Sequence, residues 1–121
     1  MGHVMPEVRP DGFSNCNFPV GTSWKTDTGY CLRFTVDGNL ELLNPAQHLV
    51  WQSGTHGRGA GILSMQRDGD LIIYDAKRSR VIWATDTTGH PGAYLALQED
   101  GNVVIYQRAR TPIWSTNTSG T

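Results

Sequence analysis

Three stretches of the chain repeat one pattern of apolar and polar positions: Leu32-Arg-Phe-Thr-Val-Asp37-Gly38-Asn39, Leu63-Ser-Met-Gln66-Arg-Asp68-Gly69-Asp70 and Leu95-Ala-Leu-Gln98-Glu-Asp100-Gly101-Asn102. Each opens with apolar residues two apart, breaks at Asp-Gly, and resumes in an apolar run such as Leu71-Ile-Ile-Tyr74 or Val103-Val-Ile-Tyr106. Period-two alternation marks a strand with one buried face, and Asp-Gly between two such runs is the strongest short-range hairpin signal. A tryptophan follows each hairpin: Trp51, Trp83 and Trp114 lie 14, 15 and 14 residues after the turn aspartate. The aspartates are 31 and 32 residues apart, so one structural unit is used three times.

Turn geometry decides which side chains share a face. The register that sorts polar from apolar in the third unit pairs Gln98 with Val104, Leu97 with Ile105 and Ala96 with Tyr106. It turns Leu95, Leu97, Val103 and Ile105 inward and leaves Gln98, Val104 and Tyr106 outward. The corresponding inward sets are Leu32, Phe34, Leu40 and Leu42, then Leu63, Met65, Leu71 and Ile73. No unit buries its face alone, so the three are expected to pack about a pseudo-threefold axis with their tryptophans central. Trp24 lies outside the periodic set. Helix periodicity is absent over any three turns, and Gly-containing turns separate the short strands, which makes an all-β domain.

Bulk properties narrow the function. The chain has 121 residues and a formal net charge of −1, without the basic field that would attract nucleic acid or an anionic membrane surface. Lys77, Arg78, Arg80, Arg108 and Arg110 read as solvated turns. No apolar run reaches the roughly 20 residues that span a bilayer, so membrane insertion is not expected. Residues 1–15 read as a poorly ordered leader before one domain, 16–121, with repeats at about 32–55, 63–87 and 95–118. The leader lacks the apolar core of a signal peptide. The expected location is secreted or extracellular, with a cytoplasmic one left open. Cys16 and Cys31, the only cysteines, permit one disulfide, which is expected; a buried free thiol at Cys31 would also be comfortable.

The outward face carries the chemistry. The third repeat presents Gln98, Asp100, Asn102, Val104 and Tyr106: an amide, a carboxylate, a second amide, an aliphatic patch and a phenol. Sugar hydroxyls both donate and accept, and a carboxylate beside an amide satisfies both senses. The set Gln98-x-Asp100-x-Asn102-x-Val104-x-Tyr106 also resembles the mannose-binding motif of the monocot bulb lectins, the snowdrop-type family, at all five positions. The resemblance runs from about residue 22 to 117 and implies a β-prism of the second type, three four-stranded antiparallel sheets about an axis. It further implies binding of α-mannose without calcium or any other cofactor. On that basis Asp100 and Asn102 hold the axial 2-hydroxyl, Gln98 holds O3, Tyr106 holds O4 and Val104 touches the ring. The family's C-terminal strand exchange implies a possible homodimer, with mannose-containing glycans or glycoproteins as partners.

The other copies depart from the motif. The second reads Gln66, Asp68, Asp70, Ile72 and Tyr74, and its Asp70 removes two N–H donors and adds a carboxylate, so weaker or altered binding is expected. The first keeps Asp37 and Asn39 but has Thr35, Glu41 and Leu43 elsewhere, and is expected to be degenerate and structural.

Rival chemistries fare worse. Asp68 and Asp70 project from one hairpin tip, whereas glycosidase carboxylates flank the scissile bond. His3, His48, His56 and His90 fall in the leader or in loops without a repeating partner, so catalysis is not expected. Counting twelve positions from Asp68 or Asp100 reaches Ser79 or Thr111, where a calcium loop needs Glu. The two cysteines lack partners for a zinc cluster, and no metal is expected. The remaining alternative is a protein-interaction module on the same fold that has lost sugar binding.

Overall fold

The computed structural model describes residues 15–121; the expected leader and His3 lie outside that range, apart from Asn15, which opens the first strand. Eleven strands are present among the described residues: β1 (Asn15–Pro19), β2 (Ser23–Lys25), β3 (Cys31–Phe34), β4 (Leu40–Leu43), β5 (Leu49–Gln52), β6 (Ala60–Gln66), β7 (Leu71–Asp75), β8 (Val81–Ala84), β9 (Tyr94–Leu97), β10 (Val103–Tyr106) and β11 (Pro112–Ser115). They form three antiparallel sheets, ordered β2-β3-β4-β5, β1-β6-β7-β8 and β11-β10-β9. Two sheets have the expected four strands, and the third has three among the described residues. β1 does not join the repeat it precedes. It crosses to the second sheet, with Cys16 opposite Met65 and Phe18 opposite Leu63.

The inward faces are as the alternation predicts. Leu32, Phe34, Leu42, Leu63, Ile73, Leu95 and Ile105 are fully buried in one core. Trp51, Trp83 and Trp114 close a triangle around the axis, edge to face at centroid separations of 5.8, 5.7 and 5.9 Å. Pairs at this geometry contribute about 0.5–1.5 kcal/mol each beyond the area they bury. Trp24 faces inward from β2, opposite Leu32, and meets the edge of Phe18 at 4.8 Å, so it joins the two added strands of neighbouring sheets.

The register corrects one expectation. Val103 pairs with Leu97, Val104 with Ala96 and Tyr106 with Tyr94, two residues tighter than the alternation suggested. A shift of two preserves the inward and outward faces, so parity alone could not choose between the registers. The tighter register leaves a three-residue loop, closed by Gln98 N–H on Asn102 O at 2.9 Å and Gly101 N–H on Gln98 O at 3.0 Å. Gly101 has φ +90°, and a Cβ there would strike the Tyr30 ring of the first repeat. Gly38 and Gly69 abut Ala60 and His90 of the repeat that follows each.

The expected disulfide is absent. Cys16 and Cys31 are free thiols. Cys16 packs against the core from β1 in the second sheet. Cys31 alternates with buried Leu32 and Phe34 on β3 of the first sheet and so faces outward. One sulfur thus faces the core from the second sheet and the other faces outward from the first, and no bridge joins them.

Candidate functional site

The third repeat builds its site from the hairpin tip outward. Asp100 Oδ1 accepts the backbone N–H of Asn102 at 2.9 Å, and Oδ2 accepts the Ser119 hydroxyl at 2.8 Å. Asn102 Oδ1 accepts from Thr116 Oγ1 at 3.1 Å and from the backbone N–H of Thr118 at 3.2 Å. Thr118 Oγ1 in turn donates to Gly101 O at 2.6 Å. One atom of the Asn102 amide is thereby anchored in the fold. The other, Nδ2, has no hydrogen bond among the described residues and keeps its two donors.

The far end of the site is equally ordered. Gln98 Nε2 donates to Tyr106 Oη. The Tyr106 ring stacks on Tyr94 at 5.6 Å, with 29° between planes. Pairing of β10 with β11 slips between Ile105 and Tyr106, and matching slips fall at Leu42/Leu43 and Ile73/Tyr74. Such irregularities re-aim a side chain. Val104, between Ala96 and Ser115 on neighbouring strands, is only 3% exposed, so it forms the floor of the site and not an open patch.

The second repeat reproduces this frame atom for atom, with one inversion. Asp68 accepts Asp70 N–H at 3.1 Å and the Thr88 hydroxyl at 2.7 Å. Asp70 Oδ1 accepts Thr85 Oγ1 at 3.0 Å and Thr87 N–H at 3.2 Å, as Asn102 Oδ1 does from Thr116 and Thr118. Gln66 Nε2 donates to Tyr74 Oη at 2.6 Å above Ile72. Where Asn102 offers N–H donors, Asp70 offers a carboxylate oxygen. The Arg78 guanidinium lies 4.8 Å over the Tyr74 ring and donates to Asn17 Oδ1 at 3.0 Å. The loop carrying Arg78 is fastened by Asp75, whose carboxyl is held below its ordinary range chiefly by the Ser79 hydroxyl.

In the first repeat the same amide is consumed. Asn39 Nδ2 donates to Glu41 Oε2 at 2.9 Å and to Gln52 Oε1 at 2.8 Å. Thr35 takes over the aspartate's turn role by accepting Asn39 N–H at 3.0 Å. Glu41 is further paired with Arg33 at 2.8 Å. This polar network occupies the face where the other repeats stay open.

Sequence reasoning missed the hydroxyls behind each site: Ser53 and Thr55, Thr85 and Thr87, Thr116 and Thr118. Their signal was present, two and four residues after Trp51, Trp83 and Trp114. It was overlooked because they follow the motif and do not belong to it. His48 and His56 are exposed as expected, but His90 is half-buried, with Nδ1 2.9 Å from Thr87 O. Among the described residues no cluster of three His, Cys, Asp or Glu is arranged to hold a metal.

Three sheets around a tryptophan triangle, two of them carrying a strip of carboxylate, amide and phenol on the outer face, define a β-prism of the second type built to meet polyhydroxyl ligands. Known structures agree. A monomeric mannose-binding lectin from Gastrodia elata is 38% identical, matching 97% of this chain and 96% of its own with a TM-score of 0.78. The mannose-specific agglutinin of snowdrop, Galanthus nivalis, solved with methyl-α-D-mannoside, is 30% identical over 96% of each chain with a TM-score of 0.71. A lectin from Marasmius oreades is 27% identical over 99% of this chain and 94% of its own, with a TM-score of 0.80. No family model and no curated protein matches the sequence. The chain belongs to the monocot bulb-type mannose-binding lectin family. It is a carbohydrate-binding lectin and not an enzyme.

Proposed function

We propose that the chain binds terminal mannose or α-mannosides, with its best site on the third repeat. The observation that supports this most is the unspent donor pair of Asn102 Nδ2 beside the anchored Asp100 carboxylate. A hydroxyl placed between them accepts from the amide and donates to the carboxylate. The Gln98–Tyr106 pair offers further donors and acceptors for the adjacent hydroxyls, over the Val104 floor. The Gastrodia and snowdrop lectins, described as mannose-binding and mannose-specific, support the same ligand.

A single shallow site of this kind binds with a Kd on the order of millimolar, about −4 kcal/mol. Useful avidity then comes from joining sites. A homodimer made by exchanging C-terminal strands would supply them, with β11 of each chain replacing its equivalent on β10 of the other. The test is an NMR titration of the labelled protein with methyl α-mannoside. Shifts centred on residues 98–106 and silence around Asp37 are expected. A spectrum unmoved at high mannoside concentration sinks this reading.

A further inference from the structure

The second and third sites differ at their centre by one atom with the opposite hydrogen-bonding sense. We infer that the second site is selective for an amino sugar, a hexose carrying an ammonium group where the third site takes a hydroxyl, with Asp70 as the specificity-determining residue. This rests on the sugar-binding reading of the outer face.

Asp70 is only 8% exposed, and its Oδ1 is committed to Thr85 and Thr87. Its Oδ2 has no hydrogen bond among the described residues. Because Oδ1 is pinned as Asn102 Oδ1 is, Oδ2 occupies the place of the free Asn102 Nδ2. Asp68 sits beside it, fastened by Asp70 N–H and Thr88 as Asp100 is by Asn102 N–H and Ser119. Two acceptors therefore converge where the third repeat has an acceptor and a donor.

A neutral hydroxyl carries one hydrogen and can serve one carboxylate. An ammonium carries three and serves both, and bonds between charged partners are roughly twice as strong as neutral ones. The cations nearby do not already fill this role. Arg78 lies against the Tyr74 ring and Asn17, and Arg110 lies 5.9 Å over the Tyr94 ring of the third sheet. Arg67, in the turn itself, is exposed to solvent. The pairing of Gln66 with Tyr74 matches that of Gln98 with Tyr106, so the two sites share the amide–phenol end of the frame.

The experiment titrates the full chain, followed by NMR, with methyl α-mannoside and with its three monoamino analogues bearing the amine at C2, C3 or C4. At least one amine is expected to bind residues 66–74 about tenfold more tightly than methyl α-mannoside does. Asp70→Asn, which copies a residue this fold already accommodates, should abolish that preference, and Asn102→Asp should create it at residues 98–106. The inference is overturned if no amine gains at the second site, or if the gain survives Asp70→Asn. Loss of the mannosides' own shifts at residues 98–106 would count instead against the function proposed above, so the two failures are separable.

Discussion

Thr118 holds Asn102 in place: its backbone N–H meets Asn102 Oδ1 at 3.2 Å, while its hydroxyl reaches Gly101 O at 2.6 Å. The Asn102 amide is thus positioned by the segment that follows Trp114, not by its own hairpin alone. Thr118→Val keeps the shape and removes the hydroxyl. Leaving Gly101 O and Thr116 Oγ1 short of a partner should cost about 1–3 kcal/mol. Calorimetry should show a Tm lower by several degrees, and methyl α-mannoside should weaken at residues 98–106 more than at 66–74.

The first repeat is closed by its own side chains. Asn39 Nδ2 is divided between Glu41 and Gln52, whereas the matching neighbours of Asn102 are Val104 and Ser115. Copying the third repeat with Thr35→Gln, Glu41→Val, Leu43→Tyr and Gln52→Ser should free the amide and create a mannoside site. New shifts over residues 35–43 would mark success. Their absence in a folded variant would show that more than this network keeps the site shut.

Gly101 is held to glycine twice over, by φ +90° and by the Tyr30 ring. Gly101→Ala combines left-handed strain of about 1–2 kcal/mol with crowding of about 1–3 kcal/mol, so a loss of about 2–5 kcal/mol is expected. Gly120 also has a positive φ, +73°, but faces open space, and Gly120→Ala should cost only the strain, about 1 kcal/mol. Equal losses in chemical denaturation would remove the Tyr30 contact from the account.

Burial raises the Cys16 thiol above its ordinary range. The neutral thiol is favoured, so iodoacetamide should label Cys16 slowly near pH 8 and speed up only as pH climbs past the usual thiol range. Mass spectrometry of peptides around Cys16 would follow this directly. Since both cysteines are free thiols, adding a reductant should leave Tm unchanged. A drop in Tm would reveal a bridge.

Much of this fold was legible because its strongest signals are local. Asp-Gly turns and alternating Leu, Val and Ile named the hairpins and their buried faces, and the period of the tryptophans placed them around one axis. The position of β1 was not legible, because its pairing with β6 bridges residues as far apart as Asn15 and Gln66 and leaves no trace in either segment. The bridge expected between Cys16 and Cys31 rested on their being the only two cysteines, and nothing in the sequence showed that β1 carries Cys16 to a different sheet from Cys31. At the site, residue types showed what each position could do, but not which atoms were already spent. Asn39 and Asn102 are the same residue at the same place, and only the neighbours Glu41 and Gln52 distinguish a consumed amide from an available one.

The hairpin tips meet in a cycle, Gly38 against Ala60, Gly69 against His90 and Gly101 against Tyr30, so the last repeat leans on the first. A linear array of repeats has ends, and can gain or lose a unit or fray from one side. A closed ring has neither freedom. Its copy number is locked at three, and loosening any one unit withdraws support from both others. Such a chain should melt as a whole, with no end repeat from which unfolding could begin.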